Sequence, residues 1–455
     1  MKRITIIGGG ASGTLLAVNL IKHSGSAPLE INLVEKSKKI GRGVAYSPID
    51  DIHLLNVPAA KMGAFPDEIE HFHKWLVENK YEYAPGDFVP RAIYGEYLCE
   101  VFADAIANKA ANVSLNLLDD EAIDVFSDEG SALVLLESGE VLPSHKVVLA
   151  FGNFTPPDLP TETTGYTASE KYFRNSWDTR ILEKVAPTDD VLLIGTGLSA
   201  VDNIMSFHRR DHRGKIIAVS KHGWFPAAHK SATPYQCFKE EIAEQKSVRQ
   251  IFKTVRRHCR QAENWRSVID ALRPVTQETW HRLPTEEKRA FMRHLRRVWD
   301  ISRHRMPPQC SEILDAMQRE GKLEVRRGKI RDIQASGGKF EVKYSSKGIE
   351  KTFAVDAIIN CVGSESNFEK IEFPLVKCLL EKGEIKPDAL ALGLDATPDG
   401  DVINRANEPS NVISTLGTAL KGILWESTAM PEIRVQAKKL ALRLLYENQN
   451  ASESA

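Results

Sequence analysis

The stretch Ile4-Thr5-Ile6-Ile7-Gly8-Gly9-Gly10-Ala11-Ser12-Gly13, running on into Thr14-Leu15-Leu16-Ala17-Val18-Asn19-Leu20, decides the fold. Four strand-favouring residues lead into a glycine turn, and the turn leads without a gap into an apolar helix pattern. A second apolar strand, Ile31-Asn32-Leu33-Val34, ends at Glu35. Strand, glycine turn, helix, strand and terminal acid, in that order, make the βαβ unit that holds a dinucleotide. Gly8 makes the tight turn, Gly10 lets backbone approach a pyrophosphate, and Gly13 lets helix pack closely on strand. Ala11 and Ser12 lie between these glycines at the phosphate. Glu35, followed by Lys36, stands where a carboxylate accepts both hydroxyl protons of an adenosine ribose.

The pattern recurs. Val191-Leu192-Leu193-Ile194 enters Gly195-Thr196-Gly197-Leu198-Ser199-Ala200, followed by Val201-Asp202-Asn203-Ile204-Met205. The next strand, Ile216-Ile217-Ala218-Val219, ends in Ser220-Lys221-His222, with no carboxylate where Glu35 stood. A hydroxyl and a cation suit a ribose 2′-phosphate, which an acid would repel, so this second site reads as one for NADPH. The plainer alternative leaves Lys221 as a solvated loop residue.

Both halves also close alike. Val147-Val148-Leu149-Ala150-Phe151-Gly152 and Ala357-Ile358-Ile359-Asn360-Cys361-Val362-Gly363 are apolar strands ending in x-Gly. Short strands with turn signals precede each, around 121–142 and 323–353. Gly152 and Gly363 would each let the chain pass close to a bound cofactor, and both are expected beside the first one.

The expected architecture is α/β, with two Rossmann-type dinucleotide-binding domains. Residues 1–160 and 357–455 form the first, and 161–356 form the second. A helix-patterned insertion at about 230–308 has no counterpart in the first half. Its end is locally basic, through Lys288, Arg289, Arg293, Arg296, Arg297, Arg303 and Arg305. A charge run of this kind is ordinarily a solvated helix face, and the alternative is a site for an anionic substrate group or a cofactor phosphate. Ala451 to Ala455 read as a polar tail.

Bulk properties agree. The chain has 455 residues, more than one ordinary core, with 42% hydrophobic and 27% charged residues. A net charge of -1, from 60 basic and 61 acidic side chains, gives no reason to expect nucleic-acid or membrane partners. No apolar run approaches the ~18 residues of a membrane-spanning helix. The glycines interrupting the apolar start argue against a secretory signal, so a cytoplasmic location is expected. None of the six cysteines forms C-x-x-C, which suggests neither a zinc knuckle nor a redox dithiol.

Further segments carry a resemblance. Gly41-Arg42-Gly43-Val44-Ala45-Tyr46, His53-Leu54-Leu55-Asn56-Val57-Pro58, Pro90-Arg91 with Tyr94-Gly95-Glu96-Tyr97-Leu98, and Trp425-Glu426 with Pro431-Glu432-Ile433-Arg434 resemble bacterial FAD/NAD(P)-binding proteins. That group is similar to flavin-containing monooxygenases, including the N-hydroxylases. The resemblance implies FAD in the first domain, with Gly43, Val44 and Arg91 among its contacts. It places Asn56 beside the flavin ring, where the plainer reading has it cap a turn before Pro58. It also sets the backbone amides of Leu416-Gly417-Thr418, with the helix from about Pro431, against the pyrimidine end of the flavin.

One departure stands out. The monooxygenase fingerprint F-x-G-x-x-x-H is replaced by Tyr172-Phe173-Arg174-Asn175-Ser176-Trp177-Asp178, without histidine. No cysteine pair lies at 42–46, which excludes disulfide reduction through such a pair. The implied chemistry is hydride transfer from NADPH to flavin, with electrons passed on to oxygen and a small substrate hydroxylated. A flavin reductase or oxidase that never oxygenates substrate, and a non-catalytic flavin-binding sensor, are the rival readings.

Overall fold

Two mainly parallel sheets, each built around one glycine motif, carry the chain in the computed structural model, which describes residues 1–37 and 39–450. The expected polar tail at 451–455 lies outside the described residues. In the first sheet the strand Lys2–Ile7 sits between Leu29–Val34 and Lys146–Leu149, all parallel. Val113–Leu118 extends one edge, and Pro409–Thr415 with Asp401–Ile403 the other. In the second sheet Val191–Ile194 lies between Ile216–Ser220 and Ala357–Asn360, with Leu323–Arg327 and Tyr172–Phe173 at the edges. The central strands are continuous apolar runs because helices and further sheets cover both faces. Ile4, Ile6, Leu33, Val148, Leu192 and Ile358 are all fully buried.

Each of these sheets carries a three-stranded antiparallel sheet, inserted in the chain before Lys146–Leu149 in the first and before Ala357–Asn360 in the second. Ala122–Asp128, Ser131–Leu136 and Val141–Ser144 form one, and Lys329–Ser336, Lys339–Ser346 and Ile349–Val355 the other. The two ends of the chain share the first core: Ala437, Leu440 and Leu444 of the last helix, Met430–Asn450, pack with Leu15, Leu16 and Leu20 of the first, Ala11–Lys22.

The boundary expected at 357 needs correction. Ala357–Asn360 pairs with Val191–Ile194 and buries all four residues, so it is the inner strand of the second sheet. The chain returns to the first domain only after Asn360. The insertion is helical from Lys239–Ala243 to Arg296–Arg303.

Candidate active site

The three glycines of the first turn's motif do different physical work. Gly8 has φ +110°, and a Cβ there would lie 2.5 Å from the Ala150 carbonyl oxygen. At Gly13 a Cβ would lie 1.9 Å from the Gly8 oxygen, so only glycine allows that helix-on-turn contact. Gly10 differs: its φ is -67°, which any residue adopts, and its nearest neighbour would be the Gly43 Cα at 3.6 Å. Gly10 therefore keeps space open beside the turn. The helix Ala11–Lys22 begins there with no side-chain cap and no acid in its first turn, which leaves its amides and positive dipole end to an anion.

Glu35 holds the turn in shape. Its Oε2 accepts from the Gly9 N–H at 2.7 Å and its Oε1 from the Ser37 N–H at 2.8 Å. A carboxylate has about four acceptor sites, so it retains capacity for ribose hydroxyls.

The second turn repeats this geometry. Gly195 has φ +116°, with its Cβ position 2.6 Å from the Cys361 oxygen, as Gly8 faces Ala150. No atom lies within 4 Å of a Cβ built at Gly197, and the helix Leu198–Arg209 again starts uncapped, with no acid in its first turn. Leu198 and Ser199 open that helix, while Ala200, in the third-glycine place, is fully buried.

The end of the adjoining strand is more basic than its local sequence suggests. Ser220 Oγ lies 2.9 Å from Thr196 Oγ1 and accepts from the Gly223 N–H at 3.0 Å, so Ser220 braces the turn. Lys221 is exposed. Arg297 donates to Thr196 Oγ1 at 2.9 Å and to the Trp224 carbonyl. Arg327 is the register partner of Ser220, and its Cβ is 3.3 Å from the Cβ position of Gly223. The pKa of His222 is lowered first by burial, then by the nearby Lys221, Arg297 and Arg327. Arg297 and Arg327 escape a local reading. Arg297 comes from the basic helical run, and only strand pairing brings Arg327 alongside.

Other expected residues converge on the first turn. Gly43 packs on Gly10, with its Cβ position 3.2 Å from the Gly10 Cα, and Val44 beside it is 44% exposed. Gly41 donates its N–H to Gly9 O at 2.9 Å, drawing that loop over the turn. A Cβ at Gly417 would lie 2.8 Å from Ser12 Oγ, and Thr418 Oγ1 donates to Phe151 O at 2.8 Å and to Gly152 O at 3.1 Å. Gly43 thus packs on Gly10, Gly417 on Ser12, and Thr418 ties Gly152 to the same C-terminal segment.

Four more of the expected residues make contacts of their own. The Lys36 ammonium pairs with Glu121 at 3.1 Å and sits 4.8 Å from the Phe373 ring centroid, engaged away from the turn. Arg91 pairs with Asp202 at 2.8 Å and donates to Leu54 O at 3.0 Å, so it ties the domains together. Gly363 follows an inner strand of the second sheet, and the chain just beyond it bridges back from Glu365 to Phe154, close after Gly152. The Gly417 N–H, expected to face the flavin, donates to Gln436 Oε1 at 2.8 Å.

Asn56 lies at the seam between domains. Its carbonyl is 3.0 Å from His229 Nε2, while its side-chain amide makes no hydrogen bond among the described residues. Burial, reinforced by Arg305, pushes His229 down to about 4, so near neutral pH the ring is uncharged and Nε2–H is the donor. His53 Nε2 meets Ser206 Oγ at 2.8 Å, and Arg209 pairs with Asp50 at 2.7 Å. Together with Arg91–Asp202, these contacts clamp first-domain segments onto the helix Leu198–Arg209 and fix how the two dinucleotide turns face each other. His53 and His229 carry no sequence signature of this role.

Residues 5–154 match a family model described as FAD-NAD(P)-binding, which covers the first turn through the strand Lys146–Leu149. No curated protein matches the chain by sequence. Among solved structures the chain is similar to the ornithine N-hydroxylase of Kutzneria sp. 744, solved with reduced FAD, NADP+ and L-ornithine: 14% identity, TM-score 0.66, 98% of this chain and 99% of that one. The L-lysine 6-monooxygenase of Pseudomonas syringae gives 15% identity and TM-score 0.64, with 97% and 98% covered. The bacillithiol disulfide reductase of Staphylococcus aureus gives 12% and 0.58, with 99% and 100% covered. The chain thus shares its overall fold with these enzymes over nearly their whole length.

Proposed function

We propose that the chain is an FAD-dependent, NADPH-using oxidoreductase of the flavin-monooxygenase kind, acting on a small molecule. The observation that carries this reading is the duplicated turn. Two uncapped helix N-termini, each beside a glycine that keeps space open, stand on two sheets clamped together. The residues fit both groups: Gly10, Ser12, Gly43 and Glu35 suit an FAD pyrophosphate and ribose. Gly197 with Lys221, Arg297 and Arg327 suits a dinucleotide bearing a 2′-phosphate. When bound, the cofactors supply hydride donation and a flavin that passes electrons to dioxygen.

The chain's own work is positional. The seam through Arg91, His53 and His229 holds the two sites in register, and the free amide of Asn56 offers a hydrogen bond on the first-domain side. Arg303 and Arg305 are ion-paired with Glu426 and Asp270, and Arg297 serves the second turn. The basic run therefore supports a cofactor phosphate better than a substrate anion.

The similar hydroxylases act on ornithine and lysine, which makes small primary amines the first substrates to offer. The test is stoichiometric: NADPH oxidised, hydrogen peroxide released and hydroxylated product formed, across a panel of such amines. Product accounting for most of the NADPH with at least one amine supports oxygenation. Peroxide matching NADPH throughout favours the reductase reading, for which the linker at 172–178 without its histidine speaks.

A further inference from the structure

A cavity of about 140 Å³ opens among the helices of the insertion, apart from both glycine turns. Its walls come from helical faces at i, i+3, i+4 spacing: Thr276, Thr279 and Trp280 from Thr276–Arg282, and Leu295, Val298 and Trp299 on and just before Arg296–Arg303. Among the described residues no charged side chain lines it. The only polar members are Thr276, Thr279 and Ser302, and the Thr276 hydroxyl is turned back to donate to Leu272 O at 2.8 Å.

The aromatic wall offers ring faces and withholds its donors. Trp280 stacks on Trp425 with centroids 4.8 Å apart, and Phe291 meets Trp425 edge-on at 5.1 Å. The Trp280 indole N–H donates to Gly422 O at 2.8 Å and that of Trp299 to Glu426 Oε1 at 3.1 Å, both in the C-terminal segment. At the solvent side Phe252 and Val298 remain 37% and 40% exposed, an apolar rim on an apolar hole.

A second observation is independent of the cavity. Trp425 has φ +62° and ψ -60°, and the Glu426 N–H donates to Leu424 O at 2.8 Å. This is the rare, strained γ-turn with positive φ, made by a residue that has a large side chain. Strain of this kind persists where the surroundings over-determine it, and it concentrates at binding sites. Here it aims the indole into the pocket wall. The same segment begins at Gly417 and Thr418, against the first glycine turn.

We infer that this pocket binds an apolar group of a small molecule, about the size of one benzene ring, for which an apolar-walled cavity of this volume is suited. Resting on the oxidoreductase reading, this makes the substrate one with an apolar end, seated in the insertion on the wall that leads back toward Thr418.

The test is a fluorine NMR titration of the full-length, flavin-loaded protein with fluorobenzene, and with 4-fluorobenzoate as the charged comparison, in the absence of nicotinamide. Wild type should bind fluorobenzene saturably and 4-fluorobenzoate at least about tenfold more weakly, because the pocket has no partner for a carboxylate. Thr279→Phe and Ser302→Phe fill the cavity from different helices. Whichever of them retains flavin and a cooperative melt should lose fluorobenzene affinity by at least about tenfold. Absence of saturable binding in wild type overturns the inference, as does wild-type affinity in the filled variants or equal binding of both probes. Because no hydride transfer is involved, a pocket that binds as expected in a protein whose flavin NADPH cannot reduce refutes the oxidoreductase reading and leaves the pocket standing.

Discussion

Replacing Gly10 with alanine separates a glycine kept for a ligand from glycines kept for the fold. At φ -67° the backbone suits alanine, and the new methyl would meet only the Gly43 Cα at 3.6 Å, an ordinary contact. The stability of the apoprotein should therefore change by no more than about 0.5 kcal/mol. Gly13→Ala is the counter-case. Its methyl would fall 1.9 Å from the Gly8 oxygen, so helix and turn must part, at a cost of about 1–3 kcal/mol or more. The Gly10 methyl instead enters the space where a pyrophosphate would approach the uncapped helix. Losing one charge-assisted amide bond there costs about 1.5–3 kcal/mol, or roughly ten- to a hundredfold in FAD affinity. Reconstitution of apoprotein with FAD, followed by flavin fluorescence, gives the affinity, and urea melts of the apoproteins give the stability. Wild-type FAD affinity in Gly10→Ala, or a loss of apoprotein stability as large as that of Gly13→Ala, would refute the assignment of this space to a cofactor.

Arg297→Ala and Lys221→Ala should each narrow the preference in kcat/KM for NADPH over NADH, chiefly by weakening NADPH; unchanged ratios in both would contradict the cationic cluster's role. Glu35→Ala removes the acceptor that the turn leaves free for ribose hydroxyls, so FAD affinity should fall by about 1.5–3 kcal/mol per ribose bond lost, read as flavin content after dialysis. Asn56→Ala should divert NADPH-derived electrons from product to hydrogen peroxide, measured as the ratio of the two in the presence of a turned-over substrate. His229 and His304 are held down to about 4 in the folded protein, whereas an unfolded histidine titrates near 6.5. Between those pH values the unfolded chain binds protons that the folded one refuses. Stability present above pH ~6.5 is therefore lost as pH falls toward 4, by up to about 3 kcal/mol per ring. His229→Gln, which keeps a donor for Asn56 O, should flatten part of the slope of melting temperature against pH; an unchanged slope would assign it elsewhere.

What could be read from the chain before folding was what lies close together along it. Each glycine turn with its flanking strand and helix is a local unit, and the terminal Glu35 and Ser220-Lys221 come at fixed offsets from it. The antiparallel excursions announced themselves by turn residues. What could not be read depends on pairings across the chain. The strand Ala357–Asn360 looks like a closing strand in either domain, and only its pairing with Val191–Ile194 assigns it to the second. Arg327 gains its meaning from standing opposite Ser220 in the sheet, and Arg297 from a helix that reaches back to Thr196. Arg91 and Lys36 each found a carboxylate in the folded protein, Asp202 and Glu121, which no local pattern foretells.

The most direct measurement of the central claim is anaerobic mixing of the purified, flavin-containing protein with NADPH, and separately with NADH, while the oxidised-flavin absorbance is followed. The account expects the flavin band to bleach with both, faster and at lower concentration with NADPH, and Arg297→Ala to slow the NADPH reaction selectively. A protein that carries no flavin, or a bound flavin that NADPH leaves oxidised, would contradict it.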